Sequence, residues 1–377
     1  MLIRSNAPVF GANATPYDAP GRWQVSLSSR NLVSNDHYSG TEEQIRRQTL
    51  QSYVTNHQNL LDVSVSRQLT ERFSVGIGVP YVNSSWASRD PRSPFPGPRR
   101  EIAQDGSLGD ISVSGRSWVL DTLTHPDWNI LGGLGVKLPT GNASTQDFFP
   151  DRNGENNQLR YVDQSVQPGD GGWGLMMEAH GFWKLKRVFA FGSGSYLANP
   201  RNTNGTPSLV VARGGPPAES SFDKLVNSVP DQYLARVGGT VPLWRGIAGT
   251  VAWRMEGLKR YDLFGASNGF RRPGTSMFVE PGVSYSHGAN TWTLNVPIAY
   301  YRLRRPDPNT GLSGDATFPR QVFLTSYSRR FGGRSAAPGL QAPPAALPAP
   351  APAADAPLDP ASSAAGRSAV ACPAGSL

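Results

Sequence analysis

The chain of 377 residues contains a single cysteine, Cys372, which excludes a disulfide framework and any cysteine-based metal cluster. Its five histidines (His37, His57, His125, His180 and His287) are not spaced like a zinc site. Charged residues are scarce, at 17%. No run of about 18 apolar residues exists, so no helix can serve as a membrane span. Mean hydropathy is −0.38, which by itself suggests a soluble basic protein of net charge +8.

What the chain has instead is 41 glycines and 33 prolines, together about a fifth of its residues against the roughly 12% of average sequence. Both are costly inside helices, so a helix-rich enzyme is disfavoured. Part of the excess lies in residues 332–377, an Ala/Pro stretch with little apolar bulk to bury, expected to be a disordered tail. Its charges Arg334, Asp355, Asp359 and Arg367 cancel, so the net charge belongs to residues 1–331.

Within 1–331 the dominant signal is strict alternation. Phe73, Val75, Ile77, Val79 and Tyr81 are separated by Ser74, Gly76, Gly78 and Pro80. Trp292, Leu294, Val296, Ile298 and Tyr300 repeat the pattern, as do Ile130, Leu134, Val136 and Leu138 around Asn129, Leu131, Gly133, Gly135 and Lys137. A period of two puts one set on each face of a strand. Twelve such segments are expected, near 22–32, 59–69, 72–82, 108–120, 128–138, 171–183, 188–199, 230–243, 247–257, 276–287, 291–302 and 320–331. The connections between them alternate long and short, with both chain ends on the short side.

A soluble sandwich has no reason to gather its long loops at one end. An all-β, antiparallel, up-and-down transmembrane β-barrel of about twelve strands does, and it escapes hydropathy tests because only alternate residues meet lipid. Trp23, Trp128, Trp183, Trp244 and Trp292 fall at the short-turn ends, where an interfacial aromatic girdle belongs. The expected organisation is a periplasmic segment 1–21, a barrel 22–331 and the tail 332–377, in a bacterial outer membrane. The start MLIRSNAPVFGANATPYDAPG has no apolar export core, which implies a mature or truncated form or a start codon placed too late.

The segments GANATPYDAPGRWQVSLSSR (11–30), TERFSVGIGVPYV (70–82), GDISVSGRSWVL (109–120), GLGVKLPTGN (133–142) and VDQSVQPGDGGWG (162–174) resemble bacterial outer-membrane transporters grouped as the MetA-pathway of phenol degradation family. The resemblance covers roughly 11–331. Its most suggestive pieces are Lys137 to Gly141 and the pair Gly109–Asp110. It implies an outer-membrane barrel that passes small molecules, aromatic or hydrophobic compounds among them, and supplies no catalytic residue.

Other motifs read as structure. Leu138-Pro139-Thr140-Gly141 ends a strand and opens a turn rather than acting as a wall-sorting signal. DRNGENN (151–157) lacks the glycine and the terminal acid that a calcium loop needs at its sixth and twelfth positions. GDGGWG (169–174) precedes a strand, so it is not a phosphate loop. Glu178 and His180 share parity, but no G-x-S-x-G nucleophile signature accompanies them, and a lumenal hydrogen-bonded pair is favoured over a lipid hydrolase.

Parity assigns Asp62, Arg116, Lys137, Glu178, His180, Arg236, Arg254, Glu256 and Glu280 to the lumen, because charge facing lipid is expensive. Both signs occur there, which points to a cross-braced, narrow interior rather than a single-sign filter. The remaining positive charge clusters at Arg46–Arg47, Arg99–Arg100, Lys184–Lys186–Arg187, Arg271–Arg272 and Arg304–Arg305. Lying at both ends of the barrel, these suit lipopolysaccharide and phospholipid headgroups better than nucleic acid. The expected function is passive passage of small molecules, with no cofactor, no metal and no enzymatic activity, and with the barrel assembly machinery as a partner. The alternatives are a non-conducting structural or surface-interaction barrel and, less favoured, the hydrolase.

Overall fold

The computed structural model describes residues 16–88, 100–103, 106–150, 157–208, 226–309 and 315–333. Residues 334–377 of the expected tail, and residues 151–156 of the DRNGENN loop, lie outside the described residues.

Twelve antiparallel strands form the barrel: β1 (Arg22–Ser39), β2 (Thr55–Gln68), β3 (Phe73–Ser88), β4 (Ser112–Trp118), β5 (Trp128–Lys137) and β6 (Gly174–Leu185). They continue as β7 (Val188–Ala198), β8 (Gln232–Trp244), β9 (Ile247–Leu258), β10 (Gly274–His287), β11 (Asn290–Asn295 and Ile298–Arg304) and β12 (Ala316–Gly332). Each pairs with the next in sequence. β12 then returns onto β1, from Trp23 opposite Phe331 to Tyr38 opposite Ala316, so the sheet closes. The fold is an up-and-down barrel.

All twelve segments expected from alternation are present, with shifted ends. β1, β2, β3 and β12 run further toward the long loops than expected, reaching Ser39, Thr55, Ser88 and Ala316. Those extensions carry polar residues on both faces, such as Asn56 opposite Trp86 and His57 opposite Ser85, so pairing continues where alternation has stopped. β4 and β6 begin at Ser112 and Gly174, later than expected; Ser107–Leu108 pairs separately with Tyr81–Val82 of β3, and Asp110 turns from the ladder to accept from the Asp170 amide. The short turns are tight. Arg245 and Gly246 between β8 and β9 both have positive φ (40° and 84°), the requirement of the hairpin turn that matches strand twist.

The distribution of polarity is the reverse of a water-soluble protein. Leu134 is 64% and Val251 63% exposed on the outer wall, amid a continuous belt of Leu, Val and Ile. Inside, Arg30, Asp62, Glu178, His180, Arg254 and Glu280 are buried. A contiguous apolar exterior of this extent is a lipid-facing surface. Trp23, Trp128, Trp183, Trp244 and Trp292 all stand exposed on it at the short-turn ends.

The wall carries register shifts, in β1 against β12 and in β8 against β9, and an outright interruption in β11. β11 is interrupted at Val296–Pro297, and beyond that point its only ladder pair with β12 is Ile298 opposite Gln321. Arg302 bridges the gap, donating from Nε to the Pro319 carbonyl at 3.2 Å and from Nη1 to Tyr38 Oη at 3.1 Å.

Leu134 sits on the lipid face of β5 midway along the strand. Leu134→Arg is expected to destabilise the barrel by about 2–4 kcal/mol, measured by urea-titrated folding into phospholipid vesicles. An unchanged midpoint would contradict the lipid-facing assignment.

Candidate functional site

The candidate site is the barrel interior, which is built in three tiers from the short turns toward the long loops. The first tier is aromatic. Trp118, Leu131, Phe182, Phe189 and Phe191 project inward from β4, β5, β6 and β7. Tyr17, from the segment before β1, packs into them, with its ring edge-on to Trp118 at 4.9 Å and to Phe182 at 5.7 Å. Its hydroxyl donates to the His125 carbonyl at 2.5 Å and accepts from Asn129 Nδ2 at 3.1 Å. The chain before the first strand therefore turns into the barrel mouth.

The second tier is ionic and spans the lumen. Arg236 on β8 contacts Glu280 on β10 at 2.8 Å, and Glu280 meets Arg254 on β9 at 3.6 Å. Arg254 bonds Glu256 at 2.7 Å, and Glu256 reaches Arg30 on β1 at 2.5 Å. Five side chains alternate in sign from one wall toward the other. A separate group joins Arg116 on β4 to Glu178 on β6 at 2.6 Å, with His180 Nε2 at 3.8 Å from the same carboxylate. β5 lies between these two strands, and its residue in that row is Gly133. A Cβ there would stand 3.1 Å from the Arg116 side chain and 3.3 Å from Glu178, so the glycine leaves the space in which they pair.

The third tier fastens the loops. Lys137 Nζ bonds both carboxylate oxygens of Asp170 and lies 3.7 Å from Asp110. Asp110 accepts from the backbone amides of Gly141 at 3.0 Å and Asp170 at 3.2 Å. Thr140 Oγ1 donates to the Gly109 carbonyl at 2.8 Å. Gly141 and Gly169 approach so closely that a Cβ on Gly169 would stand 2.4 Å from the Gly141 carbonyl oxygen. Burial and the adjacent Asp170 raise the pKa of the Asp110 carboxyl above the ordinary range, and Lys137 opposes them. The Gly-Asp, Lys-Leu-Pro-Thr-Gly and Pro-Gly-Asp-Gly-Gly motifs are thus parts of one knot.

From this knot, residues 162–168 fold inward. Val162 and Val166 are fully buried against Trp86. Gln58 Nε2 donates to the Ser165 carbonyl at 2.9 Å, and Ser165 Oγ to Asn56 Oδ1 at 3.2 Å. Arg272 grips Asp163 with two bonds of 2.8 and 2.5 Å. Burial alone would raise the pKa of the Asp163 carboxyl, but the Arg272 guanidinium and the Ser165 donors outweigh it and hold it at about 2.

Among the described residues, three cavities stand out between the tiers. The largest, about 280 Å³, extends from the short-turn end to the ionic tier. Two smaller ones, about 180 and 100 Å³, lie on the loop side. They adjoin one another: Arg30 lines the largest and the second, and Gln164 and Ser165 line the second and third.

The structure places all nine parity-assigned residues on the inner side. Arg236, Arg254, Glu256 and Glu280 belong to one network, Arg116, Glu178 and His180 to another, and Lys137 to the loop knot. Asp62 lines the largest cavity. Arg30, which completes the long network, shares parity with Gln24, Ser26 and Ser28 and was legible from that alone. Tyr17, Asp163 and Arg272 were not, since they lie outside alternating segments.

The assignment of the arginine pairs to headgroups requires correction. Arg271 is fully buried, donating to both Asp262 oxygens at 2.8 and 2.7 Å, Arg272 holds Asp163, and Arg304 is buried beside Pro273. Each meets an internal partner, so lipid phosphate has no access to Arg271 or Arg304. Arg46 and Arg305 remain exposed.

No family model and no curated protein sequence matches the chain. Among solved structures, the chain is similar to an outer membrane channel from Pseudomonas putida F1, with a TM-score of 0.50 and 10% identity over 83% of this chain and 96% of that one. Weaker likenesses are to the translocator domain of autotransporter NalP from Neisseria meningitidis (TM-score 0.40, 11% identity, 83% and 90% covered) and the CymD monoaromatic hydrocarbon channel (TM-score 0.40, 11% identity, 83% and 89% covered). At such identities the likeness is one of fold, that of an outer-membrane barrel.

Glu256 is held between Arg30 and Arg254. Glu256→Gln leaves buried guanidinium charge uncompensated and is expected to cost about 3–5 kcal/mol in the same folding titration. Asp163 supplies a pH test of the inward segment. Its pKa is depressed from 3.8 to about 2, so its stabilisation is complete above 3.8 and is lost as pH falls toward 2. Trp86 fluorescence should therefore be constant from pH 7 to 5 and change below about 4, whereas Asp163→Asn shows the released signal already at pH 7.

Proposed function

We propose that the protein is a narrow outer-membrane channel for small molecules. The observation that carries this reading is the row of three adjoining cavities along an interior that is otherwise braced. A purely structural barrel of this size has no need to leave a 280 Å³ chamber and two smaller neighbours unfilled. Likeness to a channel fold and the sequence resemblance to the phenol-degradation transporter group support the same reading.

The steps along the route are the inward segment 162–168 and the ionic tier. Both are held by side chains rather than by the sheet, so both can be displaced without unpairing the barrel. The thin junction between β11 and β12 supports an apolar class of solute. Above Pro297 the two strands share one ladder pair, and Leu32, Phe278 and Val322 form an apolar cluster on the inner face nearby. A hydrophobic molecule could exchange there between lumen and lipid at little cost in backbone hydrogen bonds.

A hydrolase reading draws less support. His180 stands opposite Ser193 across β6 and β7, but neither side chain forms a hydrogen bond. A serine nucleophile needs its base within hydrogen-bond reach.

In planar bilayers the purified protein should give small single-channel steps, and Arg272→Ala, which frees Asp163, should enlarge them. Absence of both conductance steps and liposome-swelling uptake would refute the channel and favour a non-conducting barrel.

A further inference from the structure

The largest cavity has two unlike walls. On one side it is bounded by Trp118, Leu131 and Phe191, the inward face of the aromatic tier. On the other it is bounded by hydroxyls, among them Ser26, Ser64, Thr293 and Ser326. Its charged lining is unequal in a way the sequence does not show. Among the described lining residues are six arginines and three carboxylates.

Accessibility sharpens this imbalance. The side chains of Arg236 and Arg116 are 20% and 12% exposed, while their partners Glu280 and Glu178 are 1% and 3% exposed. In these two pairs the guanidinium is the more exposed member, so cationic N–H groups face the space. Asp18 is bracketed by Arg330 at 3.5 Å and Arg22 at 3.9 Å. Arg236 also lies over the Phe191 ring at 4.6 Å, so a guanidinium and the aromatic surface share one corner of the chamber.

We propose that this chamber is a binding site for small aromatic carboxylates. The ring stacks against Trp118 and Phe191, and the carboxylate takes charge-assisted hydrogen bonds from Arg236 and Arg116. Guanidinium is the side chain best suited to a carboxylate, since its paired N–H groups match the two oxygens. A neutral hydrocarbon would fill the aromatic wall and take no bond from the guanidinium groups. A cation would be repelled by them. A volume of about 280 Å³ is below the range of drug-sized pockets and suits a single-ring acid. This inference rests on the channel reading, because a solute travelling the interior must pass the chamber.

The test uses the full chain in phospholipid nanodiscs, with empty-disc controls, and calorimetric titration of benzoate, benzyl alcohol, benzylammonium and acetate. Benzoate should bind most tightly. Arg236→Gln should weaken benzoate by about tenfold or more, in line with the loss of a charge-assisted bond, and leave benzyl alcohol unchanged. Phe191→Ala should weaken benzoate and leave acetate unchanged. Should Arg236→Gln fail to fold, Ser26→Glu places a carboxylate in the chamber without removing any ion pair, and it should abolish benzoate binding. Equal or tighter binding of benzyl alcohol or benzylammonium, or benzoate binding indifferent to Ser26→Glu, would overturn the proposal. The two readings fail separately. Benzoate binding without conductance or uptake removes the channel and keeps the site, whereas conductance without benzoate preference removes the site and keeps the channel.

Discussion

In a hydrocarbon medium every backbone donor and acceptor must be satisfied within the protein, and the pairing of β12 back onto β1 is what meets that demand. The remaining features follow from this closure. A closed antiparallel sheet fixes the parity of every strand at once, so one face of each is committed to lipid and the other to the lumen. Ionic residues then have only one place to go. Where the ladder thins, above Pro297 on β11, Arg302 supplies side-chain bonds to Pro319 and Tyr38 in place of backbone pairs.

The ionic tier is better understood as a shape than as a source of stability. Buried ion pairs recover little net free energy over apolar packing of the same volume, since desolvation offsets the Coulomb attraction. What the chain from Arg236 to Arg30 does is cross the lumen at a defined height and divide it. Gly133 has the same character: its missing side chain is what lets Arg116 and Glu178 meet across β5. The interior is therefore subdivided by side chains, whereas the wall is made by backbone. This division of labour lets the subdivision of the lumen change without the barrel opening its sheet.

The loops are organised by a second, smaller set of interactions. Asp110 and Asp170 come from two connections and converge on Lys137 at the end of β5, with Gly141 and Gly169 in backbone contact beside them. Their effect is to aim residues 162–168 back into the mouth, where Asp163 meets Arg272. Exposed loops above a barrel would otherwise be free to stand away from it. The short Gly-rich motifs that look like generic turns in sequence are here the fixed points of the mouth.

Sequence alone determined the barrel: its class, its strand number, the side carrying the long loops, and which face of each strand is polar. These follow from a period of two and from the cost of charge in lipid, both local in the chain, and so Arg236, Arg254 and Glu280 could be assigned inward without a structure. It also brought the Gly-Asp and Lys-Leu-Pro-Thr-Gly motifs to attention, though not their convergence. Strand extensions past the lipid belt were illegible because polar residues on both faces erase the alternation. Only the tertiary structure decided which inward residues pair, that Arg271 and Arg304 are buried rather than turned to headgroups, and that Tyr17 and residues 162–168 enter the lumen. The reason is physical. Facing is set by a residue's own neighbours in the strand, whereas partnership across a closed barrel depends on residues hundreds of positions away, as between Arg30 and Glu256, 226 residues apart.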